Sequence, residues 1–352
     1  METKNNWKIF FLLFSMLLFI SGCSEEKETT GLVDEPYSRT EFLMGTVVNV
    51  KIYDEGKQEV LTRVFNRIEE LSGKITVNDG KSEVEKINEQ AGIKPLEVSD
   101  DVYSLLKAAY GYSSESEGSF DMTVGPLTNL WHIGFDDAKK PTQSEIDDSL
   151  TLVDYSKVEL DDEKQTIFLT EKNMRLDLGA IAKGYITDEA VRILKSNGVV
   201  TAIVDLGGNI FVLGNSPRAK GAAWNVGIQN PFETHGEIIG SIPINNKTIV
   251  TSGIYERFIE VDGVKYHHLL NPKTGCPFDN DLAGVSIVAD KSVDGDGLST
   301  VVFSKGLEGG LDFINQREDV EAIFVTKDRY IYLSEGLKNG FRLNNDEFNL
   351  KN

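Results

Sequence analysis

The spacing of apolar residues predicts the elements of the N-terminal half of the chain. Residues 46–53 alternate between apolar and polar positions, which predicts a strand with one buried face. Apolar residues then recur three and four positions apart over residues 60–71, and again over residues 102–110 after a Ser99-Asp100 start signal. Two helices are therefore expected to cover this half of the chain.

A third predicted helix leads into a region in which strands dominate. This helix is expected from about Leu178 to Asn197, with Gly198 as a left-handed cap, and Asp262-Gly263 marks a tight hairpin turn. Further strands are expected at 199–204, 224–228, 238–244, 248–250, 258–261, 284–289, 322–325 and 330–333, with a helix around 297–306. Hairpin signals outnumber βαβ units, so the sequence predicts an α+β fold with largely antiparallel sheets and packed helices.

The first residues have the layout of an export signal. Two lysines precede an apolar run over residues 9–20, which is too short to span a bilayer comfortably and ends at Ser21-Gly22-Cys23. Small residues before a cysteine resemble a lipobox, in which the thiol is acylated. We expect residues 1–22 to be a lipoprotein signal peptide and the polar residues 23–38 to be a flexible tether. An uncleaved anchor or a buried N-terminal helix is the alternative.

The net charge argues against two classes of binding partner, and the cysteine content argues against a disulfide. The formal net charge is -20, so the chain lacks the basic footprint of a nucleic-acid-binding protein. The same acidity argues against a polybasic membrane contact and leaves a lipid on Cys23 as the expected attachment to the membrane. Cys276 is the only other cysteine, so no internal disulfide is expected.

Neither common nucleotide-binding loop is present, but residues 175–185 offer another way to hold a nucleotide. No Gly-x-Gly-x-x-Gly follows a strand and no Gly-Lys-Ser/Thr occurs. Gly179, Ala180 and Ala182 leave the start of the predicted helix nearly bare of side chains, so a phosphate could approach the backbone N–H groups, and Lys183 could add a positive charge. Tight packing of the helix against a sheet would favour the same small residues.

A second candidate site lies in residues 293–300. If a helix begins near Asp296, then Asp296 and Thr300 share one face and present a carboxylate and a hydroxyl to the same point. These oxygen ligands suit a hard cation such as magnesium. The alternative is that Asp296 caps the helix and that the Thr300 hydroxyl bonds back to the helix backbone.

The third candidate is the turn that contains His267 and His268. Asn271-Pro272 and Thr274-Gly275 place this turn directly after a strand, where loops often carry function. A histidine there could act as a general base toward a hydroxyl group. Adjacent side chains on a strand point to opposite sides, so at most one of the two histidines is expected in a site, and joint metal ligation is disfavoured.

In this order, the motifs closely resemble those of the FAD:protein FMN transferases, the ApbE/Ftp family of lipoproteins. The resemblance runs from about Thr40 to Leu333 and rests on seven ordered segments: 42–46, 118–127 with Leu130-Trp131 behind it, 177–185, 205–209, 251–255, 268–275 and 296–300. It implies an ApbE-like, T-fold-like architecture. Residues 39–352 would then form the catalytic domain, as one unit or as two interlocked subdomains.

The resemblance also implies roles for individual residues. Positions that line the FAD site are matched by Met44, Ser119, Phe120, Asp121, Asp177, Lys183 and Leu270. The magnesium site is matched by the carbonyl oxygen of Ala180 with Asp296 and Thr300, and Ser299 stands where some relatives have another oxygen ligand. His268 matches the histidine needed for transfer. Relatives often cover the flavin with an aromatic residue near Asn78, and the asparagine here puts flavin stacking at that place in doubt.

The implied activity is magnesium-dependent cleavage of FAD and transfer of FMN to a protein. The family attaches FMN through a phosphoester bond to a Ser or Thr of exported or membrane electron-transfer flavoproteins and releases AMP. Expected partners are FAD, such acceptor proteins and, through Cys23, the extracytoplasmic face of the cell membrane. An FAD pyrophosphatase without a protein acceptor and a lipoprotein that only binds flavin are the alternatives.

Overall fold

A computed structural model describes residues 31–77, 81–219, 221–233 and 236–351. Within these ranges the chain forms eight α-helices, which are α1 (Val60–Ile75), α2 (Glu83–Glu89), α3 (Asp100–Glu115), α4 (Gly125–Trp131), α5 (Gln143–Leu150), α6 (Ala182–Ser196), α7 (Ser292–Ser304) and α8 (Gly306–Asn315). None of these helices has the length and apolar character needed to cross a bilayer.

The described residues also form seventeen strands. They are β1 (Leu32–Leu43), β2 (Thr46–Asp54), β3 (Leu96–Glu97), β4 (Val158–Asp161), β5 (Thr166–Leu169), β6 (Ala202–Leu206), β7 (Asn209–Leu213), β8 (Trp224–Gln229), β9 (Ile238–Ile244), β10 (Lys247–Gly253), β11 (Phe258–Val261), β12 (Val264–His267), β13 (Leu282–Ala289), β14 (Val320–Thr326), β15 (Tyr330–Leu333), β16 (Arg342–Leu343) and β17 (Asn349–Lys351).

One large sheet organises the chain, in the order β1-β2-β6-β7-β10-β13-β14-β15-β17. Its neighbouring strands are antiparallel except for the β15–β17 pair. Three small sheets accompany it, in the orders β11-β12, β16-β9-β8 and β3-β5-β4. The predicted α+β class with largely antiparallel sheets is confirmed. From Leu32 onward the chain forms one compact unit.

The two faces of the large sheet are covered by different layers. On one face, α1, α3 and α6 pack over β2, β6 and β7, while α7 and α8 pack over β13 and β14. On the other face, β8 and β9 lie against residues such as Tyr53, Val212 and Val288, which alternate along their strands with the helix-facing residues. Since successive side chains of a strand point to opposite faces, this alternation lets one sheet serve two cores.

The helix-facing core explains why the patterned segments fold as predicted. The apolar residues of α1 at helical spacing are all buried: Val60, Leu61, Val64, Phe65, Ile68, Leu71 and Ile75. Alternate residues of β2, including Val48, Val50 and Ile52, are fully buried against them. Burial of one large apolar side chain contributes about 1.5–3 kcal/mol to folding. The helical pattern of α1 and the alternating pattern of β2 are therefore both stabilised by packing in the same layer.

The predicted tether is too long at its C-terminal end. Residues 32–38 were expected to belong to it, but they are part of β1, which pairs with β2 from Leu32 to Leu43 with a bulge after Leu32. Backbone hydrogen bonds to β2 hold this strand, and its position at the edge of the sheet tolerates polar side chains. The predicted signal peptide (residues 1–22) and residues 23–30, including Cys23, lie outside the described part of the chain.

Two helix boundaries differ from the prediction. Helix α6 starts at Ala182 instead of about Leu178, because the N–H groups of Ile181 and Ala182 both donate to the Leu178 carbonyl and form a tight turn first. Helix α7 starts at Ser292, earlier than expected, because the carboxylate of Asp188 on α6 accepts its first N–H groups. A cap supplied by a distant residue leaves no signal in the local sequence.

Several elements were not predicted at all. The N-terminal half contains α2, α4 and α5 in addition to the two expected helices, and each spans only seven or eight residues. A helix of two turns shows too few apolar positions to establish a period. Helix α8 was not predicted either; it follows α7 after a single residue and begins at the left-handed Gly306.

Candidate active site

Helices α6 and α7 touch at a glycine. A Cβ atom on Gly184 would lie 2.4 Å from the carbonyl oxygen of Ser292, so only glycine allows this approach. At the same crossing, the N–H of Gly184 donates to Oδ2 of Asp296 at 2.8 Å. The predicted small-residue segment thus does pack tightly, but against a second helix, and the tight contact lies at Gly184 rather than at Gly179 or Ala180.

This hydrogen bond leaves a particular oxygen without its helical partner. In a regular helix the N–H of Gly184 would bond to the carbonyl of Ala180, four residues earlier. Here it bonds to Asp296 instead, and no backbone N–H in the described ranges donates to the Ala180 carbonyl. The Ala180 carbonyl oxygen and Oδ1 of Asp296 are therefore both left without a backbone donor among the described residues.

Asp296 is not a helix cap. It is the fifth residue of α7 and is only 4 % exposed. Burial raises the pKa of its carboxyl group, while the positive charge of Lys183 and the bond from Gly184 lower it. A buried carboxylate with a single protein hydrogen bond and a nearby cation retains lone pairs for a further positive ligand.

Thr300 and Ser299 follow Asp296 on α7. Thr300 is half-buried, and among the described residues its hydroxyl forms no hydrogen bond, so the predicted alternative of back-bonding to the helix is not seen. The Ser299 hydroxyl is fully engaged: it donates to the Asp296 carbonyl at 2.7 Å and lies 2.7 Å from the hydroxyl oxygen of Ser252 on β10. Thr300 is thus better placed than Ser299 to offer a ligand.

The donor set fits a magnesium ion better than a softer metal. No group of three or more His, Cys, Asp or Glu side chains is placed for metal binding in the described ranges. What the α6–α7 crossing offers instead is a carbonyl oxygen, one carboxylate and a hydroxyl, from Ala180, Asp296 and Thr300. Magnesium accepts such oxygen ligands and keeps waters or phosphate oxygens in its remaining positions.

His268 is held in a defined orientation just after β12. Its backbone N–H donates to the Arg257 carbonyl at 3.1 Å, and its ring Nδ1 lies 3.3 Å from the same oxygen. A carbonyl can only accept, so the proton of the neutral ring resides on Nδ1 and Nε2 keeps its lone pair. The side chain is 29 % exposed, and Oε2 of Glu256 lies 4.0 Å from Nε2.

The environment of His268 favours the neutral ring. Burial lowers the pKa of His268 well below its ordinary value, and the positive charges of Arg257 and Lys183 lower it further. The hydrogen bond to the Arg257 carbonyl acts in the opposite direction. At neutral pH the ring is therefore unprotonated and can accept a proton at Nε2.

Lys183 connects the separate parts of the site electrostatically. Its charge lowers the pKa of His268, of Asp296 and of Asp205 at the end of β6. The carboxyl pKa of Asp205 is nevertheless raised, mainly by burial. Three segments that are far apart in the sequence thus share the field of one lysine.

The hairpin turn between β1 and β2 carries Met44. Met44 and Gly45 both have left-handed backbone angles, with φ of 54° and 70°, as a two-residue hairpin turn requires. Methionine rarely adopts this conformation, which is a feature of functional sites. The guanidinium of Arg257 lies beside Gly45, and its side chain also packs on Gly134, so the turn lies close to the residue that positions His268.

In the loop after α3, most of the predicted flavin-site residues make contacts inside the protein. The carboxylate of Asp121 accepts the N–H and hydroxyl of Thr123 and the N–H of Tyr155, and burial raises its pKa. Phe120 is 3 % exposed and packs edge-on against Tyr112, whereas Ser119 is half-buried. This leaves Ser119 as the most accessible of the three.

The other predicted flavin-site residues have different surroundings. The N–H of Asp177 donates to the carbonyl of Met122, so the loop that contains Asp177 lies against the loop that contains Asp121. The carboxylate of Asp177 accepts the N–H of Gly179. Leu270 is 8 % exposed and lies in a small core around Trp131. Asn78 lies outside the described residues.

The predicted phosphate cradle at the start of α6 is mostly occupied by the protein itself. The N–H of Gly179 donates to the Asp177 carboxylate, and the N–H of Gly184 donates to the Asp296 carboxylate. The N–H groups of Ile181 and Ala182 both donate to the Leu178 carbonyl. The tight turn before the helix and the Asp296 bond use the donors that a ligand was expected to take. An anion at this place would depend chiefly on the charge of Lys183.

His267 belongs to the core, as the strand alternation predicts. It is 8 % exposed, its Nε2 lies 3.0 Å from the Phe278 carbonyl, and its ring packs edge-on against Phe303. Burial lowers its pKa. Of the pair, only His268 is partly exposed, so only this histidine is accessible to a substrate.

Several residues that shape the site were not predicted from the sequence. Arg257 positions His268, Tyr112 donates to Asp294 of α7 at 2.7 Å, and Asp188 binds the start of α7. Asp188 lies four residues after Gly184 and so on the same helix face, which is a signal that could have found it. By contrast, the cleft bordered by Leu32, Thr201 and Ser216 contains none of the predicted site residues.

Comparison with known proteins adds independent information. A model of the ApbE family matches residues 44–324. An FAD:protein FMN transferase of Klebsiella pneumoniae (strain 342) is 40% identical over 298 residues, covering 85% of this chain and 92% of that protein. The FAD:protein FMN transferase of Treponema pallidum (strain Nichols) is 35% identical over 330 residues, covering 90% and 91%.

Solved structures agree with this relationship. The ApbE protein from Thermotoga maritima superposes with a TM-score of 0.80 at 30% identity, covering 88% of this chain and 100% of that one. The flavin transferase ApbE from Vibrio cholerae gives a TM-score of 0.77 at 25% identity, with coverage of 87% and 99%. The expected ApbE-like architecture is confirmed, and the chain belongs to the ApbE family.

Proposed function

We propose that this protein cleaves FAD and transfers the FMN half to a hydroxyl group of an acceptor protein. One observation carries the proposal: the buried Asp296 carboxylate accepts the N–H of Gly184, which leaves the Ala180 carbonyl without a backbone donor among the described residues, and Lys183 lowers the pKa of Asp296. A protein that only binds flavin needs no such uncommitted oxygen atoms. The curated relatives carry the name of this activity.

The residues at the α6–α7 crossing are proposed to hold the phosphates of FAD. The Ala180 carbonyl, Asp296 and Thr300 would bind a magnesium ion, which supplies charge neutralisation for a pyrophosphate when bound. Lys183 would orient the same phosphates through its charge, because the acidic chain provides few other cations near Asp296. These residues come from α7, from the start of α6 and from the turn before α6.

His268 is proposed to be the general base. The acceptor hydroxyl oxygen forms a bond to the FMN phosphorus, the phosphorus–oxygen bond to AMP breaks, and the hydroxyl proton passes to Nε2 of His268. The bond from Nδ1 to the Arg257 carbonyl keeps Nε2 directed away from that carbonyl and also stabilises the ring once it is protonated. The products are a phosphoester-linked FMN on the acceptor and free AMP.

The finer features of the proposal concern the acceptor and the location. We propose that the acceptor residue is a Ser or Thr of an exported or membrane electron-transfer flavoprotein. A lipid on Cys23 would hold the enzyme at the extracytoplasmic face of the membrane, where such acceptors are found. The lipobox-like residues before Cys23 support this location.

Mass spectrometry of an acceptor protein tests the activity. Purified enzyme, FAD and magnesium should add one FMN to a Ser or Thr of a flavoprotein acceptor that was expressed without the enzyme, and should release one AMP per adduct. His268→Ala should lower the transfer rate at least about 100-fold, as expected for the loss of a general base. His132→Ala, which removes a half-buried histidine paired with Asp137, serves as the matched control.

The outcome also separates the alternatives. AMP release without an adduct would indicate an FAD pyrophosphatase, in which water replaces the acceptor hydroxyl. FAD binding without any AMP release would indicate a flavin-binding lipoprotein. A His268→Ala protein that modifies the acceptor at the wild-type rate would contradict the role of His268 as base.

A further inference from the structure

Asp188 ties the start of α7 to the side of α6. Its two carboxylate oxygens accept the N–H of Ser292 at 2.7 Å and the N–H of Val293 at 2.9 Å. These are the first two residues of α7, whose N–H groups have no partner inside the helix. A carboxylate at this end also complements the helix dipole.

This tie is one of two hydrogen-bonded links between the same helices. Asp188 lies one helical turn after Gly184, whose N–H binds Asp296 one turn into α7. Between them the helices are in direct contact, since a Cβ on Gly184 would overlap Ser292. The two links and the contact fix both the separation and the axial register of α7 relative to α6.

The proposed magnesium ligands are divided between these two elements. The Ala180 carbonyl precedes α6, whereas Asp296 and Thr300 belong to α7. A shift of α7 along its axis would move two ligands away from the third. Magnesium requires near-ideal octahedral geometry with oxygen distances of about 2.0–2.1 Å, so a shift of even a fraction of an ångström weakens its binding.

We propose that Asp188 is a positioning residue that sets the register of α7 against α6 and thereby gives the metal site its affinity for magnesium. This inference rests on the proposed function of Ala180, Asp296 and Thr300. Asp188 itself touches neither the metal nor the substrate in this arrangement. Residues that orient metal ligands typically change metal affinity by about 10- to 100-fold when they are replaced.

The chain contains a matched control for this role. Asp54 at the end of β2 also accepts two consecutive backbone N–H groups, those of Val200 and Thr201. It is fully buried and binds the segment after the C-terminal end of α6, whereas Gly184 and Asp188 lie in the first half of that helix. Asp54→Asn should therefore cost stability through the same type of contact without affecting the α6–α7 crossing.

Magnesium binding without FAD tests the role directly. Magnesium chloride is titrated into wild-type protein, Asp188→Asn, Asp188→Ala and Asp54→Asn, with isothermal calorimetry and the rise in melting temperature as readouts. The titration is run at pH 8, because burial raises the pKa of Asp188 to about 6 and the carboxyl group must be ionised. The transfer rate as a function of magnesium concentration is measured in parallel.

We expect the two Asp188 variants to lose magnesium affinity to different degrees and Asp54→Asn to lose none. Asp188→Asn keeps one oxygen acceptor and should raise the dissociation constant about threefold, and Asp188→Ala should raise it about tenfold or more. Transfer at saturating magnesium should recover to near the wild-type rate. Asp54→Asn should lower the melting temperature and keep the wild-type magnesium affinity.

Three results would overturn the inference in distinguishable ways. Folded Asp188 variants with wild-type magnesium affinity would show that Asp188 serves stability alone. If Asp54→Asn weakened magnesium binding as much as the Asp188 variants do, magnesium affinity would follow the global stability of the protein. A wild-type protein that binds no magnesium would remove the metal site itself, and with it both this role and the metal part of the proposed function. If Asp188→Ala does not fold, Asp188→Asn decides the question.

Discussion

At the scale of single residues, the site depends on side chains whose surroundings set their protonation. His268 is kept neutral by burial and by the charges of Arg257 and Lys183, and its Nδ1 proton is directed to a backbone carbonyl. Asp296 is buried beside the same lysine. One cation thus disfavours the protonated form of His268 and favours the ionised form of Asp296.

The neutral state of His268 has a consequence for stability against acid. Its pKa is lowered in the folded protein, so below about pH 6.5 the unfolded chain binds a proton that the folded chain does not, and the free energy of unfolding falls. His268→Gln should reduce the stability lost between pH 7 and pH 5 by about 1 kcal/mol. Urea unfolding at both pH values measures this difference.

The control for this measurement is the range from pH 7 to pH 8. There the histidine is largely unprotonated in both states, so the wild-type and variant curves should run nearly parallel. An equal loss of stability in both proteins between pH 7 and pH 5 would show that His268 has an ordinary pKa.

At the scale of elements, the crossing of α6 and α7 is the feature on which the site depends. Gly184 of α6 donates its N–H to Asp296 of α7, and Asp188 of α6 accepts the first two N–H groups of α7. The α7 start is held from a third side as well, because the hydroxyl of Ser292 donates to Asn209 on β7. A helix fixed at its first turn and again one turn later has little freedom to slide.

The glycine at this crossing provides a test at the element scale. Gly184→Ala should destabilise the protein by about 1–3 kcal/mol, because the added methyl group would overlap the Ser292 carbonyl and force the helices apart. Gly73→Ala is the matched control, since Gly73 is an exposed helical glycine of α1 with open space around it. That change should stabilise by about 0.5–1 kcal/mol. Urea denaturation measures both, and a neutral Gly184→Ala would contradict the tight crossing.

The elements also show what limits a sequence-based prediction of secondary structure. The long patterned segments 46–53 and 60–71 were predicted correctly because their apolar period is repeated several times. The seven-residue helix α4 and the edge strand β1 were missed, since their position depends on neighbours rather than on their own pattern. The start of α7 was misplaced because its cap, Asp188, is about a hundred residues away.

At the scale of the whole molecule, the large sheet brings the motifs together. The strands β6, β7, β10 and β13 are neighbours in it, and the α6–α7 crossing lies over this central part. Arg67 of α1 adds a cross-link by binding Asp101 of α3 and Glu189 of α6. The helical layer that carries the site is therefore fixed both to the sheet and within itself.

The location of the molecule is a prediction for the whole chain. If Cys23 carries the lipid, wild-type protein should sediment with the membrane fraction, whereas Cys23→Ala should move to the soluble extracytoplasmic fraction or keep an uncleaved signal peptide. Cys276→Ala, which changes the other cysteine, should leave the distribution unchanged. Membrane-bound, processed Cys23→Ala protein would contradict the lipid anchor.

The sequence by itself determined the fold class, the family resemblance and most of the residues proposed for the site. It could do so because apolar periodicity and short motifs are local properties of the chain. Only the tertiary structure decided that Gly184 binds Asp296, that Asp188 caps α7, that Arg257 orients His268 and that residues 32–38 form a strand. Each of these contacts joins residues that local patterns treat separately, and such contacts become visible only when the packed helices and sheet bring their partners within hydrogen-bond distance.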